Sequence, residues 1–304
     1  MIEQALRERL GAVTSVRQLA GGASKEAWAV EVEGRTLLVR RAGVGVIHRD
    51  TLTLEQEFRV LEAAHAAGVK VPRPVEYLGD LGGREAFAME FVEGETIGRR
   101  IVRDPPAELP RQMAEELALI HAIPPPDFLP SGDVVARFYD ELDSVDEPHP
   151  AIEYGLAWVR ERLPPARERT FCHGDWRIGN LVVGPEGLRA VLDWEFAHVG
   201  DPVEDVAWPL VRAWRFGADA RRLGGVGAVE PYLERYNELT GRAVGVDELL
   251  VWEVLGNVKW AIGCLTQCRR HLRGQDRSVE YAVLGRMAAE MEYELLHLIE
   301  RAAA

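Results

Sequence analysis

The stretch His173-Gly174-Asp175-Trp176-Arg177-Ile178-Gly179-Asn180, followed by Leu192-Asp193-Trp194-Glu195, constrains this chain more than any other. Leu181-Val182-Val183 and Leu188-Arg189-Ala190-Val191-Leu192 are short apolar runs separated by the turn formers Gly184-Pro185-Glu186-Gly187, which predicts a β-hairpin. Antiparallel strands lie roughly 5 Å apart, so the residue entering the first strand, Asn180, is expected near the residue leaving the second, Asp193. Asp175 then sits on the loop feeding the hairpin.

Such a set has a specific chemical reading. An amide oxygen and a carboxylate are hard donors suited to Mg2+, which takes the rest of its shell from water and phosphates. With Asn180 and Asp193 as metal ligands, Asp175 is placed to accept the proton of an incoming hydroxyl, or to orient it. A base followed by two metal ligands is what phosphoryl transfer from a metal nucleotide requires.

The first ninety residues are expected to bind that nucleotide. Leu19 to Ser24 followed by Ala27 to Val32 reads as strand, turn, strand, and Gly21, Gly22, Ala23 and Ser24 would let backbone amides approach phosphates. Thr36 to Arg40 reads as a further strand. A helix comes next, with Leu54, Phe58 and Leu61 on one face and Thr53 with Gln56 as its capping box. Glu57 borders that apolar stripe, and an unpaired buried carboxylate is costly, so a cationic partner is expected. The three lysines are Lys25, Lys70 and Lys259, none on the strand ending at Arg41. Alternation puts Arg40 on one face and Arg41 on the other, which makes Arg40 the candidate partner of Glu57.

HGD, four residues, Asn, then LDWE, then Gly200-Asp201-Pro202 with Asp205 resembles the aminoglycoside phosphotransferase and choline kinase superfamily, through most of the chain. Leu117 to His121 resembles the family's helix end before its central insertion. Arg40-Arg41 and Trp214-Arg215-Phe216-Gly217 are similar to the branch fused to acyl-CoA dehydrogenases. The resemblance implies an α+β, protein-kinase-like fold of two lobes. Residues 1–92 would form a small antiparallel-sheet nucleotide lobe with one main helix, and 93–304 a larger, mostly helical catalytic and acceptor-binding lobe. It further implies an ATP- and Mg2+-dependent kinase of small molecules, with Asp175 as base, Asn180 and Asp193 on the metal, Asp205 bracing the loop, and Arg40 as the cation that also binds the phosphates. Met89 to Gly94 resembles the hinge between lobes, where Glu90 and Val92 would offer backbone groups to an adenine edge. ATP rather than GTP is implied by the resemblance alone. His173 is read as a structural hydrogen-bonding residue; Glu195 either touches metal or substrate or caps the next structural element; Asp201 fits a turn equally well. With Arg40 in a lysine's place, a nucleotide-binding module that turns over little is the alternative.

The acceptor pocket is expected within 124–170 and 203–275. Trp208, Trp214, Tyr232, Tyr236, Trp252 and Trp260 either cage a cation or, more commonly for aromatics at helical spacing, form core. Arg269, Arg270 and Arg273 suit an anionic acceptor or a helix dipole. A net charge of -13 argues against nucleic-acid and anionic-membrane partners, which need clustered basic charge. No apolar run is expected to reach the roughly 20 residues of a membrane span. Met1-Ile2-Glu3-Gln4 reads as an amphipathic helix start, and three cysteines fit a reducing compartment, so the cytoplasm is the expected address. The larger lobe reads as helical, with Met113, Leu117 and Ile120 on one helix, Ile152, Leu156 and Val159 on another, and two long helices near the end.

Overall fold

Alternation of apolar and polar residues builds the first half of the protein, and a helical period builds the second. The structure is a computed structural model describing residues 2–19, 25–43, 51–164, 169–275 and 278–303. A short helix, α1 (Ile2–Leu10), precedes strands β1 (Val13–Leu19), β2 (Lys25–Val32) and β3 (Arg35–Ala42); then come α2 (Leu54–Ala66), β4 (Pro74–Asp80) and β5 (Glu85–Glu90). The five strands form one antiparallel sheet in the order β1-β2-β3-β5-β4.

Each face of this sheet has its own core. Val30, Val39, Ala86 and Ala88 pack with Leu6 of α1 on one side. Phe87 and Met89 pack with Phe58 and Leu61 of α2 on the other. The α2 side also carries Arg40, which pairs across the strands with Ala27 and Phe87. Arg41 faces the opposite side, donating to Leu81 O at 2.8 Å and Glu26 at 3.1 Å, as alternation predicts. The capping box of α2 is present: Gln56 N donates to Thr53 Oγ1 at 3.2 Å and Thr53 N to Gln56 Oε1 at 3.0 Å.

After β5 the chain passes through Gly94, where a Cβ would stand 2.6 Å from the Val182 side chain, so only glycine permits this approach. Helices α3 (Gly98–Ile101), α4 (Leu109–His121), α5 (Val134–Val145) and α6 (Pro150–Arg162) lead to β6 (Thr170–Cys172). The predicted hairpin is β7 (Leu181–Gly184) against β8 (Gly187–Val191), with Leu181 opposite Val191. Strand β9 (His198–Gly200) pairs with β6, and α7 (Pro202–Ala207), α8 (Val229–Thr240), α9 (Val246–Leu272) and α10 (Val279–Ala303) complete the fold. Met113, Leu117 and Ile120 of α4, Ile152, Leu156 and Val159 of α6, and Leu255, Val258 and Ile262 of α9 share one core.

One expectation needs correction. Helix α9 is long and apolar enough to cross a membrane by length and composition. Its most apolar stretch is 78% buried inside the protein, so neighbouring helices, rather than lipid, cover those side chains. The scattered charges of α9 hide this stretch from a search for unbroken apolar runs.

Candidate active site

Asp205 organises the loop between β6 and β7. It lies in the first turn of α7, which Asp201 caps by accepting from Val203 N at 2.9 Å. Asp205 is fully buried and accepts from His173 N at 2.6 Å and Gly174 N at 2.9 Å, with His121 Nε2 at 3.2 Å. Burial raises its pKa, but the hydrogen bond to His121 and the charge of that ring outweigh this and hold it below the usual carboxylate value. Gly174 has φ 79°, and a Cβ there would stand 2.2 Å from Phe196 O. His173 bonds through Nε2 to Leu192 O at 2.9 Å and accepts from Asp175 N through Nδ1 at 3.2 Å. A carbonyl can only accept, so Nε2 carries the proton, and burial lowers the ring's pKa to keep it neutral.

This scaffold presents Asp175 to a cleft. Its Oδ1 accepts from Trp208 Nε1 at 2.7 Å and Arg177 Nε at 3.0 Å, and its Oδ2 from Asn180 Nδ2 at 2.6 Å. The Arg177 guanidinium lies 4.5 Å from the centre of the Trp214 ring. Gly179 makes room for it, since a Cβ there would meet Arg177 Nη1 at 2.2 Å. Asn180 also donates to Asp175 O at 2.9 Å, and the two ends of an amide point apart, so its Oδ1 is turned away from Asp175.

Asp193 lies across the hairpin from Asn180, whose carbonyl accepts from Leu192 N at 2.8 Å. Asp193 has φ 65°, a left-handed conformation uncommon for a side-chain-bearing residue. Arg40 Nη2 meets its Oδ1 at 3.0 Å. Burial raises the Asp193 pKa, and Arg40 with Lys25 and Arg177 more than reverses the effect, so the carboxylate stays charged. Glu195 is buried beside it and shifts the other way, raised by burial and by Asp193. An amide oxygen with two adjacent carboxylates is a donor set that fits Mg2+.

The expected partnership of Arg40 with Glu57 is only half of what is found. Arg40 Nη1 stands 3.9 Å from Glu57 Oε1, while Lys25 Nζ bonds directly to Glu57 Oε2. Lys25 also lies 3.0 Å from Glu195 and 3.9 Å from Asp193. The expectation missed Lys25 because its place depends on how β2 registers against β3. At the other end of β5, Glu90 donates its backbone N–H to Arg73 O at 2.9 Å and pairs its side chain with Arg73. Val92 N meets no backbone carbonyl among the described residues. Gly21, Gly22, Ala23 and Ser24 lie outside the described residues.

Asp175, Asn180, Asp193, Glu195 and Arg40 line one cleft of about 460 Å³. Its other wall comes from both segments expected to shape an acceptor pocket: Arg137 and Phe138 of α5, then Trp208, Lys259 and Trp260. Trp208, Trp214 and Trp260 form a tilted cluster, Trp214 lying 5.2 Å from Trp208 and 4.7 Å from Trp260 between ring centres. Trp208 and Trp260 line the cleft, and Trp214 is buried against both. Tyr232, Tyr236 and Trp252 are buried core. Lys259 Nζ donates to Gly174 O at 2.6 Å and pairs with Glu204 at 3.1 Å. Arg269 pairs with Glu147 at 3.8 Å.

A sequence profile of the phosphotransferase enzyme family matches residues 15–239. The chain belongs to that family. This phosphotransferase-family chain is 29% identical over 257 residues to acyl-CoA dehydrogenase family member 10 of Mus musculus, and 31% identical over 221 residues to family member 11 of Gallus gallus. Those alignments cover 72% and 64% of the chain but 23% and 27% of the two relatives, so the chain spans a minor part of their length. Among solved structures it superposes on a candidate aminoglycoside phosphotransferase from Ralstonia eutropha with a TM-score of 0.76 at 22% identity, covering 99% of this chain and 97% of that one. A choline/ethanolamine kinase family protein from Mesorhizobium loti gives 0.71 at 16% identity, covering 100% and 98%. Spectinomycin phosphotransferase, solved with ADP and spectinomycin, gives 0.70 at 13% identity, covering 96% of each chain. At these identities the likeness establishes the fold, which is the expected protein-kinase-like α+β architecture.

Proposed function

We propose that the protein is an ATP- and Mg2+-dependent phosphotransferase that carries a phosphoryl group to a hydroxyl of a small molecule. The observation that carries this reading is the bond from Asn180 Nδ2 to Asp175 Oδ2 at 2.6 Å, which fixes a carboxylate and an outward amide oxygen on the same cleft wall as Asp193. In this reading Asp175 orients the acceptor hydroxyl and takes its proton. Asn180 Oδ1 and Asp193 hold the metal, with Glu195 beside them. Bound Mg2+ supplies charge neutralisation at the phosphate oxygens. A cation of the sheet steadied by Glu57 engages the phosphates, and Arg40 bonds Asp193. His173 and Asp205 hold the loop rigid, so little reorganisation is needed when substrates enter. Glu90 C=O and Val92 N–H would offer backbone partners to an adenine edge. Residues 1–92 constitute the nucleotide lobe and 93–304 the catalytic and acceptor lobe.

ADP release with Mg2+-ATP, measured against aminoglycosides, macrolides, choline, amino alcohols, sugars and hydroxyacyl-CoA esters, tests the proposal. Acceptor-dependent release that stops on chelation of Mg2+ supports it. ATP binding with no release for any acceptor favours the module that binds without turnover, which the Arg40–Asp193 contact across the metal ligand would then explain.

A further inference from the structure

We propose that Lys25, at the start of β2, is the cation that Glu57 holds for the phosphates of the nucleotide, while Arg40 on β3 serves Asp193. The inference deepens the phosphotransferase reading and rests on it. Its starting point is strand register. Ala27 stands opposite Arg40, and side chains two apart on a strand share a face, so Lys25 projects toward the same side of the sheet as Arg40 and toward α2. There the two oxygens of Glu57 divide between two cations. Oε2 receives Lys25 directly, whereas Oε1 keeps Arg40 at 3.9 Å. Arg40 instead places Nη2 at 3.0 Å from Asp193, a direct hydrogen bond.

The remaining contacts of Lys25 are with two residues of the cleft wall. Its ammonium lies 3.0 Å from Glu195 and 3.9 Å from Asp193, both of which line that cleft. An ammonium has three donors, and Glu57, buried at 2% exposure on a helix, is the partner that does not line it. Oxygens entering from a nucleotide would replace Glu195 at Lys25 while Glu57 stays in place.

The test uses an acyl-phosphate derivative of ATP on the full wild-type chain, which contains only Lys25, Lys70 and Lys259. A deprotonated lysine Nζ attacks the acyl carbonyl, an amide forms, the carbon–oxygen bond to the terminal phosphate breaks, and ATP leaves with the electron pair. Mass spectrometry then reads which lysine carries the acyl group. Acylation of Lys25, suppressed by excess Mg2+-ATP, is expected. A label on Lys259 or Lys70 alone, or none on Lys25 in protein that binds Mg2+-ATP by calorimetry, overturns the inference.

Calorimetry on variants gives an independent reading. Lys25→Met is expected to lose roughly ten- to hundredfold in ATP affinity, the scale of one charged hydrogen bond, with adenosine binding unchanged and Lys25→Arg restoring part of the loss. A merely structural lysine would weaken ATP and adenosine alike, and that outcome counts against the proposal. Wild-type protein that binds no Mg2+-ATP removes the phosphotransferase reading and this inference together. ATP binding with Lys25 unlabelled and Lys25→Met unaffected removes this inference alone.

Discussion

The indole N–H of Trp208 donates a 2.7 Å hydrogen bond to Asp175 Oδ1, tying the segment after α7 to the carboxylate at the cleft. The ring is held in turn by Trp214, 5.2 Å away between centres, and by Lys259, whose ammonium sits 4.4 Å above it. The orientation of Asp175 is therefore set from the opposite wall of the cleft as well as from its own loop.

Replacing Trp208 with Phe keeps most of the ring and removes the donor. Loss of one hydrogen bond to a charged group, about 1.5–3 kcal/mol, predicts a fall in kcat of roughly ten- to hundredfold with the fold retained. Steady-state kinetics beside circular dichroism checks this. Unchanged kcat would show that Asp175 is oriented without the indole.

Asp205→Ala leaves the N–H groups of His173 and Gly174 without their acceptor in a fully buried site. A loss of about 3 kcal/mol in unfolding free energy is expected. Urea titration measures it. A loss close to zero would mean that the loop between β6 and β7 is held by other contacts.

His198 supplies a pH dependence. Burial lowers its pKa, but Glu204, 3.2 Å from Nε2, more than offsets this and raises it above 6.5. Glu204 also faces Lys259, and Arg137 opposes the shift. A raised folded value means that the charged pair adds stability below pH 6.5 and loses it as pH rises through the folded value. The Tm advantage of wild type over His198→Gln should therefore shrink on going from about pH 6 to alkaline pH. An advantage that grows with pH would contradict the assignment.

Features governed by nearby residues were legible in the sequence. Thr53 and Gln56 cap α2, the turn at Gly184 to Gly187 closes the hairpin, and alternation separates Arg40 from Arg41. Features governed by long-range contacts were not. Lys25 reaches Glu57 only through the pairing of β2 with β3, and Trp208 reaches Asp175 across 33 positions. Neither carries a local signal, because a lysine at a strand end and a tryptophan in an apolar run are ordinary residues. Arg177 lay inside the motif itself, yet its bond to Asp175 depends on the room left at Gly179.

The most direct test compares wild type with Asp175→Ala for Mg2+-ATP-dependent ADP release at a saturating concentration of an acceptor that wild type turns over. The account predicts a loss of about a hundredfold or more in kcat with Mg2+-ATP affinity preserved, since Asp175 acts on the acceptor hydroxyl and Asn180 with Asp193 on the metal. Turnover by Asp175→Ala equal to that of wild type would contradict it.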